Sequence, residues 1–281
     1  MDLIRTAVSR AKREAGATGV PAAGTPRGES PTRGLNGAPQ GVRHITYTRT
    51  AVFQLDPQHL ARNRIVAFDR TDPRSSQFDI LRTQVLQVME AGNLKSLGIT
   101  SPTSGCGKTL TAVNLAISLS RQFHNTVLLV DFDLKSPTVA SCLGIPQRTG
   151  LEKVFEGKGS IEDALINPGL DRLVILPCFR PVASSAELMM SDRVHGLVSE
   201  LKGRYTDRIV IFDLPPLLRT DDTIGFLPQL DCSLLVVAEG QTTVEELAEC
   251  GELLGSSANL GVVYNKSAAS ALRYPVYDYR N

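Results

Sequence analysis

Residues 101–120 read SPTSGCGKTLTAVNLAISLS, a turn of small residues that runs straight into a mostly apolar, helix-forming stretch. A glycine-rich turn opening a helix aims backbone N–H groups and the positive helix end at one point, which suits phosphate oxygens. Gly105 and Gly107 let the main chain pass close to a ligand, where a Cβ would obstruct it. Lys108 is placed to reach terminal phosphates, and the Thr109 hydroxyl to hold Mg²⁺. The pattern G-x-x-x-x-G-K-[ST] is met except at its first position, which is Pro102. A plain glycine turn before an ordinary helix has similar letters, so the surroundings must decide.

They favour the phosphate turn. SLGITS at 96–101 precedes it as an apolar strand, and a helix is expected from Lys108. Strand-like runs follow at 126–133, 172–178, 208–214, 233–239 and 260–265, with helices at 185–203 and 242–254 between them. Before the turn, Phe78, Leu81, Val85 and Val88 recur at helical spacing, with Gly92 as a stop. Apolar strands alternating with helices predict an α/β fold, a mainly parallel, doubly wound sheet of the P-loop NTPase type.

Two strand ends carry acids. VLLVDFDLK ends its apolar run with Asp131 and Asp133, two residues apart and so on one side of an extended segment. RIVIFDLPP ends with Asp213. An open α/β sheet binds ligands beyond the carboxyl ends of its strands, so three carboxylates beside a phosphate turn read as a set for Mg²⁺ and proton handling. Singly, each would serve equally well to solvate the sheet rim.

Composition narrows the remaining classes. Cys106, Cys142, Cys178, Cys232 and Cys250 form no C-x-x-C pair, which points away from zinc and disulfide scaffolds and towards a reducing cytoplasm. No apolar run is long enough to cross a bilayer, so any membrane role is expected to be peripheral or through a partner. The net charge is +1, yet residues 1–50 hold eight Lys or Arg against three Asp or Glu. That basic arm suits anionic lipid, nucleic acid or plain solvation.

The expected organisation is an amphipathic helix at 1–14, a flexible Gly/Pro-rich linker at 15–43, a segment at 44–95 whose helix leads into the core, the core at 96–271, and a tail at 272–281. That tail, with the residue before it, reads ALRYPVYDYRN and holds Tyr274, Tyr277 and Tyr279, three of the six tyrosines in the chain. Pro275, Asp278, Arg280 and Asn281 interrupt any apolar face, so the cluster is not built as a core strand.

Taken in order, SPTSGCGKT, DFDLK, DLPP and YPVYDY resemble the bacterial P-loop tyrosine kinases of capsule and exopolysaccharide machinery. The resemblance covers roughly residues 65–281. It implies ATP and Mg²⁺ as cofactors, with Ser104, Gly105, Cys106, Gly107, Lys108, Thr109 and Leu110 forming the phosphate loop. It further implies that Thr109, Asp133 and Asp213 serve the metal, with Lys108, Asp131 and Asp133 as the catalytic group. Asn265 resembles a base-contacting position, and a strand-end cap is an equal reading. Tyr274, Tyr277 and Tyr279 become phosphate acceptors, offered to a neighbouring subunit. The implied assembly is a homo-oligomer, cytoplasmic and held at the inner membrane by a co-polymerase-type activator, with no nucleic acid expected.

Departures from the family pattern are Cys106 in place of an acidic loop residue and Lys135 in place of arginine after D-x-D. The usual E-x-x-R-x-x-R contact is replaced by Ser76, Asp79 and Arg82; for Arg82, Asp221 and Asp222, solvated surface is the default reading. Two alternatives stay open: a partition-type ATPase, disfavoured by Thr103 where a second lysine is usual, and a nucleotide-gated scaffold without transfer activity.

Overall fold

The computed structural model describes residues 50–122, 124–205, 207–255 and 259–267. The expected leader helix, the linker and the tyrosine tail lie outside the described residues.

Eight strands form one sheet: β1 (Ala51–Val52), β2 (Ser96–Thr100), β3 (Thr126–Asp131), β4 (Ile166–Asn167), β5 (Leu173–Leu176), β6 (Arg208–Asp213), β7 (Cys232–Ala238) and β8 (Asn259–Asn265). Their spatial order is β1-β4-β5-β3-β6-β2-β7-β8. Every pairing is parallel except β4 with β5, which are antiparallel. The doubly wound parallel sheet expected from the sequence is therefore present.

The helices are α1 (Pro57–Arg62), α2 (Ser75–Ala91), α3 (Lys108–Ser120), α4 (Val139–Leu143), α5 (Leu151–Phe155), α6 (Ile161–Ala164), α7 (Ser185–Met189), α8 (Asp192–Gly203), α9 (Asp221–Phe226) and α10 (Val244–Leu254). The continuous helix expected over 185–203 is in fact α7 and α8. Ser191 interrupts it with an extended backbone and caps α8 by accepting from the Val194 N–H, which satisfies an otherwise orphaned donor.

Parity along β3 explains the two cores. Val127 and Leu129 face a cluster that includes Leu115 and Leu119 of α3 and Val85 of α2. Leu128, Val130 and Phe132 face the other, with Leu197 of α8 and Leu254 of α10. Covered on both faces, the central strands can be apolar throughout. Asp131 and Asp133 continue the odd-numbered side, the side on which α3 packs, so the sheet delivers both carboxylates towards the start of that helix.

Helix α3 is buried almost all round, and its buried Asn114 and Ser118 are hydrogen-bonded to neighbouring segments. Asn114 Oδ1 accepts from the Ala67 N–H at 2.8 Å. Ser118 Oγ donates to Asp79 Oδ1 at 2.6 Å, and Arg82 Nη1 lies 2.8 Å from that same oxygen. Arg82 is thus held against α3 within its own chain, and solvated surface does not describe it. Asp222 is fully buried and paired with Lys135 at 2.5 Å, because the Lys135 stem crosses to the start of α9. Only Asp221 keeps the expected exposure.

One carboxylate ties three elements at the opposite edge of the sheet. Asp231 Oδ2 accepts from the N–H groups of Lys95 at 2.8 Å and Ser96 at 2.9 Å, and Oδ1 meets Lys202 Nζ at 2.5 Å. Burial pushes its pKa up, but the Lys202 bond and the two amides outweigh that and hold it below the ordinary carboxylate value of 3.8. A depressed carboxyl stabilises the fold above its unfolded pKa, and that contribution is lost as pH falls through the folded value. Asp231→Asn is expected to cost about 1 kcal/mol near neutral pH, allowing for solvent screening. Urea denaturation at pH 7 and at pH 3 checks this, since the difference from the parent should narrow at the lower pH.

Candidate nucleotide and metal site

The bend between β2 and α3 carries the positive-φ glycines Gly105 (84°) and Gly107 (98°). Gly107 has a second constraint: a Cβ there would lie 2.1 Å from Asn265 Nδ2. The first-turn amides of a helix have no partner within it, so the start of α3 presents donors to the bend.

Lys108 Nζ lies 2.7 Å from Asp133 Oδ2 and 3.7 Å from Asp213 Oδ1. Thr109 Oγ1 donates to Asp213 Oδ2 at 2.6 Å and lies 3.3 Å from Lys108 Nζ. Thr138 Oγ1 donates to Thr109 Oγ1 at 3.2 Å. Asp133 Oδ1 accepts from the Ser136 N–H at 3.1 Å, and Asp131 Oδ2 from the Val139 N–H at 2.9 Å. β3 and β6 are direct neighbours with Asp131 opposite Asp213, which is why acids far apart in sequence meet here.

Electrostatics follow from this crowding. Burial disfavours the Lys108 cation, but Asp213 and then Asp133 outweigh it and raise its pKa. Burial and the neighbouring Asp213 push Asp131 well above the usual carboxylate range. Asp213 is raised by burial too, although Lys108 and the Thr109 hydroxyl pull the other way. Asp131 Oδ1 and Asp213 Oδ1 are buried without a hydrogen-bond partner. Among the described residues, no three His, Cys, Asp or Glu side chains converge as a protein-only metal cage. Orphaned carboxylate oxygens next to a threonine hydroxyl are hard-oxygen donors. They fit Mg²⁺, which takes one or two carboxylates and completes its shell with water and phosphate.

The other expected loop residues fall around the bend. Ser104 is exposed, its carbonyl taken by Gln241 Nε2 at 2.6 Å. Cys106 is fully buried with its sulfur 3.7 Å from the hydroxyls of Thr103 and Thr242. Leu110 stands in the first turn of α3 and packs partly buried against the core. Asn265 does two jobs: its Nδ2 donates to the Cys106 carbonyl at 2.8 Å, and its Oδ1 accepts from the Lys266 N–H. Tyr274, Tyr277 and Tyr279 lie outside the described residues.

Sequence reading missed Thr138, Gln241, Thr242 and Lys266. Lys266 Nζ donates to Gln241 Oε1 at 3.0 Å, and Gln241 in turn holds the loop. The one available signal was GQTT, one residue after β7, at the sheet edge where ligand loops gather.

The chain matches the CobQ/CobB/MinD/ParA nucleotide binding domain over residues 97–273. It is 33% identical over 208 residues to the tyrosine-protein kinase YwqD of Bacillus subtilis (strain 168), spanning 73% of this chain and 86% of that one. The kinase domain of the Escherichia coli tyrosine kinase ETK matches at a TM-score of 0.65 and 25% identity, covering 80% of this chain and 93% of that domain. For the cell division ATPase MinD of Pyrococcus furiosus the score is 0.51 at 25% identity, over 60% of this chain and 71% of that one. Fold and phosphate bend together define a nucleotide-binding domain of the P-loop NTPase class. Within that class, the chain belongs to the bacterial tyrosine-protein kinases, enzymes that transfer a phosphoryl group to tyrosine.

Proposed function

We propose that the chain binds ATP at the Gly105–Thr109 bend and phosphorylates Tyr274, Tyr277 and Tyr279 of a second copy, in the service of capsule or exopolysaccharide production. The observation that carries this reading is the convergence of Lys108 and Thr109 with Asp133 and Asp213 beyond neighbouring strand ends.

In this reading the loop amides and Lys108 hold the β- and γ-phosphates, and Thr109, Asp133 and Asp213 hold Mg²⁺. The metal neutralises charge developing on the transferring group. A tyrosine hydroxyl has a pKa of about 10 and must shed its proton as it attacks. Its oxygen bonds to the γ-phosphorus as the bond to the β,γ-bridging oxygen breaks, ADP departs, and the proton passes to Asp131 or Asp133. The raised carboxyl pKa of Asp131 suits this role, because a stronger base accepts the proton more readily.

Among the described residues no helix is long and apolar enough to cross a membrane. The matched region is 28% of Wzc from Salmonella typhi but 86% of YwqD. The same kinase unit therefore occurs inside a much longer chain and nearly alone. We propose that a membrane protein of the co-polymerase type activates this chain and holds it at the inner face of the membrane.

Incubation with Mg-ATP, alone and with candidate activators, followed by mass spectrometry of the tail, tests the reading. Phosphotyrosine at 274, 277 and 279 is expected. Steady ATP hydrolysis with an unmodified tail would transfer the chain to the partition-type alternative.

A further inference from the structure

A groove of about 620 Å³ opens beyond the carboxyl end of β5, its lining including Glu152, Phe155, Glu156, Val182, Glu187 and Leu188. It lies on the Phe132 side of the sheet's carboxyl edge and is tied to the chain just beyond Asp133. The Val182 N–H donates to the carbonyl of Leu134, the residue after Asp133, at 2.9 Å. The Phe155 ring lies 6.4 Å from that of Phe132, which stands between Asp131 and Asp133.

The acids of this groove are unevenly neutralised. Glu156 is held by Lys153 at 3.1 Å and by Lys158 at 3.0 Å. Glu187 faces Lys135, which is itself drawn 2.5 Å from Asp222. Glu152 is only 3% exposed. Its Oε2 accepts from the Phe179 N–H at 3.0 Å, whereas Oε1 has no hydrogen-bond partner. A buried carboxylate oxygen without a donor is a standing cost that a cationic N–H group relieves. Phe155, Val182 and Leu188 offer apolar wall for the stem of such a group. A long stem ending in a planar fork of donors describes arginine.

The tail supplies that side chain twice. Arg273 directly precedes Tyr274, and Arg280 directly follows Tyr279. We propose that the groove docks a tail arginine from a second copy of this chain and so selects which tyrosine reaches Lys108 and Asp133. The inference rests on the tail being the acceptor and adds the element that recognises it. Because β5 and β3 are adjacent strands, an anchor in the groove and an acceptor at the site suit a short extended segment. Acid in the groove and arginine beside tyrosine make the pairing specific.

The test uses the peptide ALRYPVYDYRN and the full chain carrying Arg273→Gln and Arg280→Gln, so that its own tail does not compete. Peptide affinity, measured by fluorescence anisotropy without nucleotide, should weaken about tenfold on Glu152→Gln or Glu187→Gln in the receptor. Changing both peptide arginines to Gln should weaken it as much, and the combined changes less than additively. Glu187→Gln keeps the result readable if the Glu152 variant folds poorly. In trans phosphorylation of a Lys108→Met copy, the same receptor changes should raise KM for that copy and leave kcat unaltered. Peptide affinity indifferent to every one of these changes overturns the proposal. So does binding of a tyrosine-free basic peptide where the tail peptide fails, which assigns the groove to another partner. Glu-dependent binding with no transfer leaves the dock standing and removes the kinase reading; transfer with KM indifferent to both glutamates does the reverse.

Discussion

Lys108→Met reduces tail phosphorylation by on the order of 10³-fold or more, the loss expected when a preorganised cation is taken from a phosphoryl-transfer site. The residue has two tasks, and both end with it. Towards the ligand, in the function proposed above, it is the charge that would meet the terminal phosphates. Towards the protein it is the cation set among Asp133, Asp213 and Asp131. Without it, buried carboxylates face one another unbalanced. Asp131 and Asp213 already stand above the usual carboxylate pKa, so they are expected to take up protons instead of bearing bare charge. Thermal stability of the nucleotide-free protein should therefore fall by less than the roughly 3–5 kcal/mol seen when a buried ion pair loses one partner. Anti-phosphotyrosine detection and calorimetric unfolding measure the two effects separately. Full transfer activity in this variant would remove the bend from the mechanism.

The second large effect is expected at Gly107. Its φ of 98° excludes L side chains with little strain, and an added Cβ would sit 2.1 Å from the Asn265 amide nitrogen. The obstacle is a side chain braced on the Cys106 carbonyl and on the Lys266 N–H, so it cannot simply swing away. Gly107→Ala should destabilise the protein by about 2–3 kcal/mol and abolish nucleotide binding. Adding Asn265→Ala removes the collision and leaves the backbone strain. The double variant should regain part of the lost stability but little of the binding. Chemical denaturation with a fluorescent-nucleotide titration reads both. Gly107→Ala binding nucleotide like the parent would show that the bend does not carry phosphate.

These two positions also mark how far the sequence could be read. Glycine, lysine and threonine in a row before an apolar helix carry their geometry locally, so the bend, α3 and the strand on each side were legible. The strand-end acids were legible for a related reason: alternation along β3 fixes the side to which Asp131 and Asp133 turn. Gln241 was not, because it meets Ser104 from 137 residues away. Adjacent acids at Asp221 and Asp222 look alike on paper, yet one is exposed and the other buried under Lys135. Strands β1 and β4 hold two residues each, too few for any periodicity. The break at Ser191 was signalled by a capping residue followed by an acid, and the apolar spacing on either side concealed it.

Phe132 meets the ring of Phe212 at 5.4 Å and that of Phe226 at 4.8 Å, and Phe212 meets Phe226 at 5.2 Å. Phe132 sits between two acids of the site, and Phe212 immediately precedes the third. The span across which the three carboxylates face one another is thereby gauged from the oily underside of the sheet, by rings that are fully buried. A drift in aromatic size at those three positions would re-set the spacing of the acids above, leaving their chemistry unchanged.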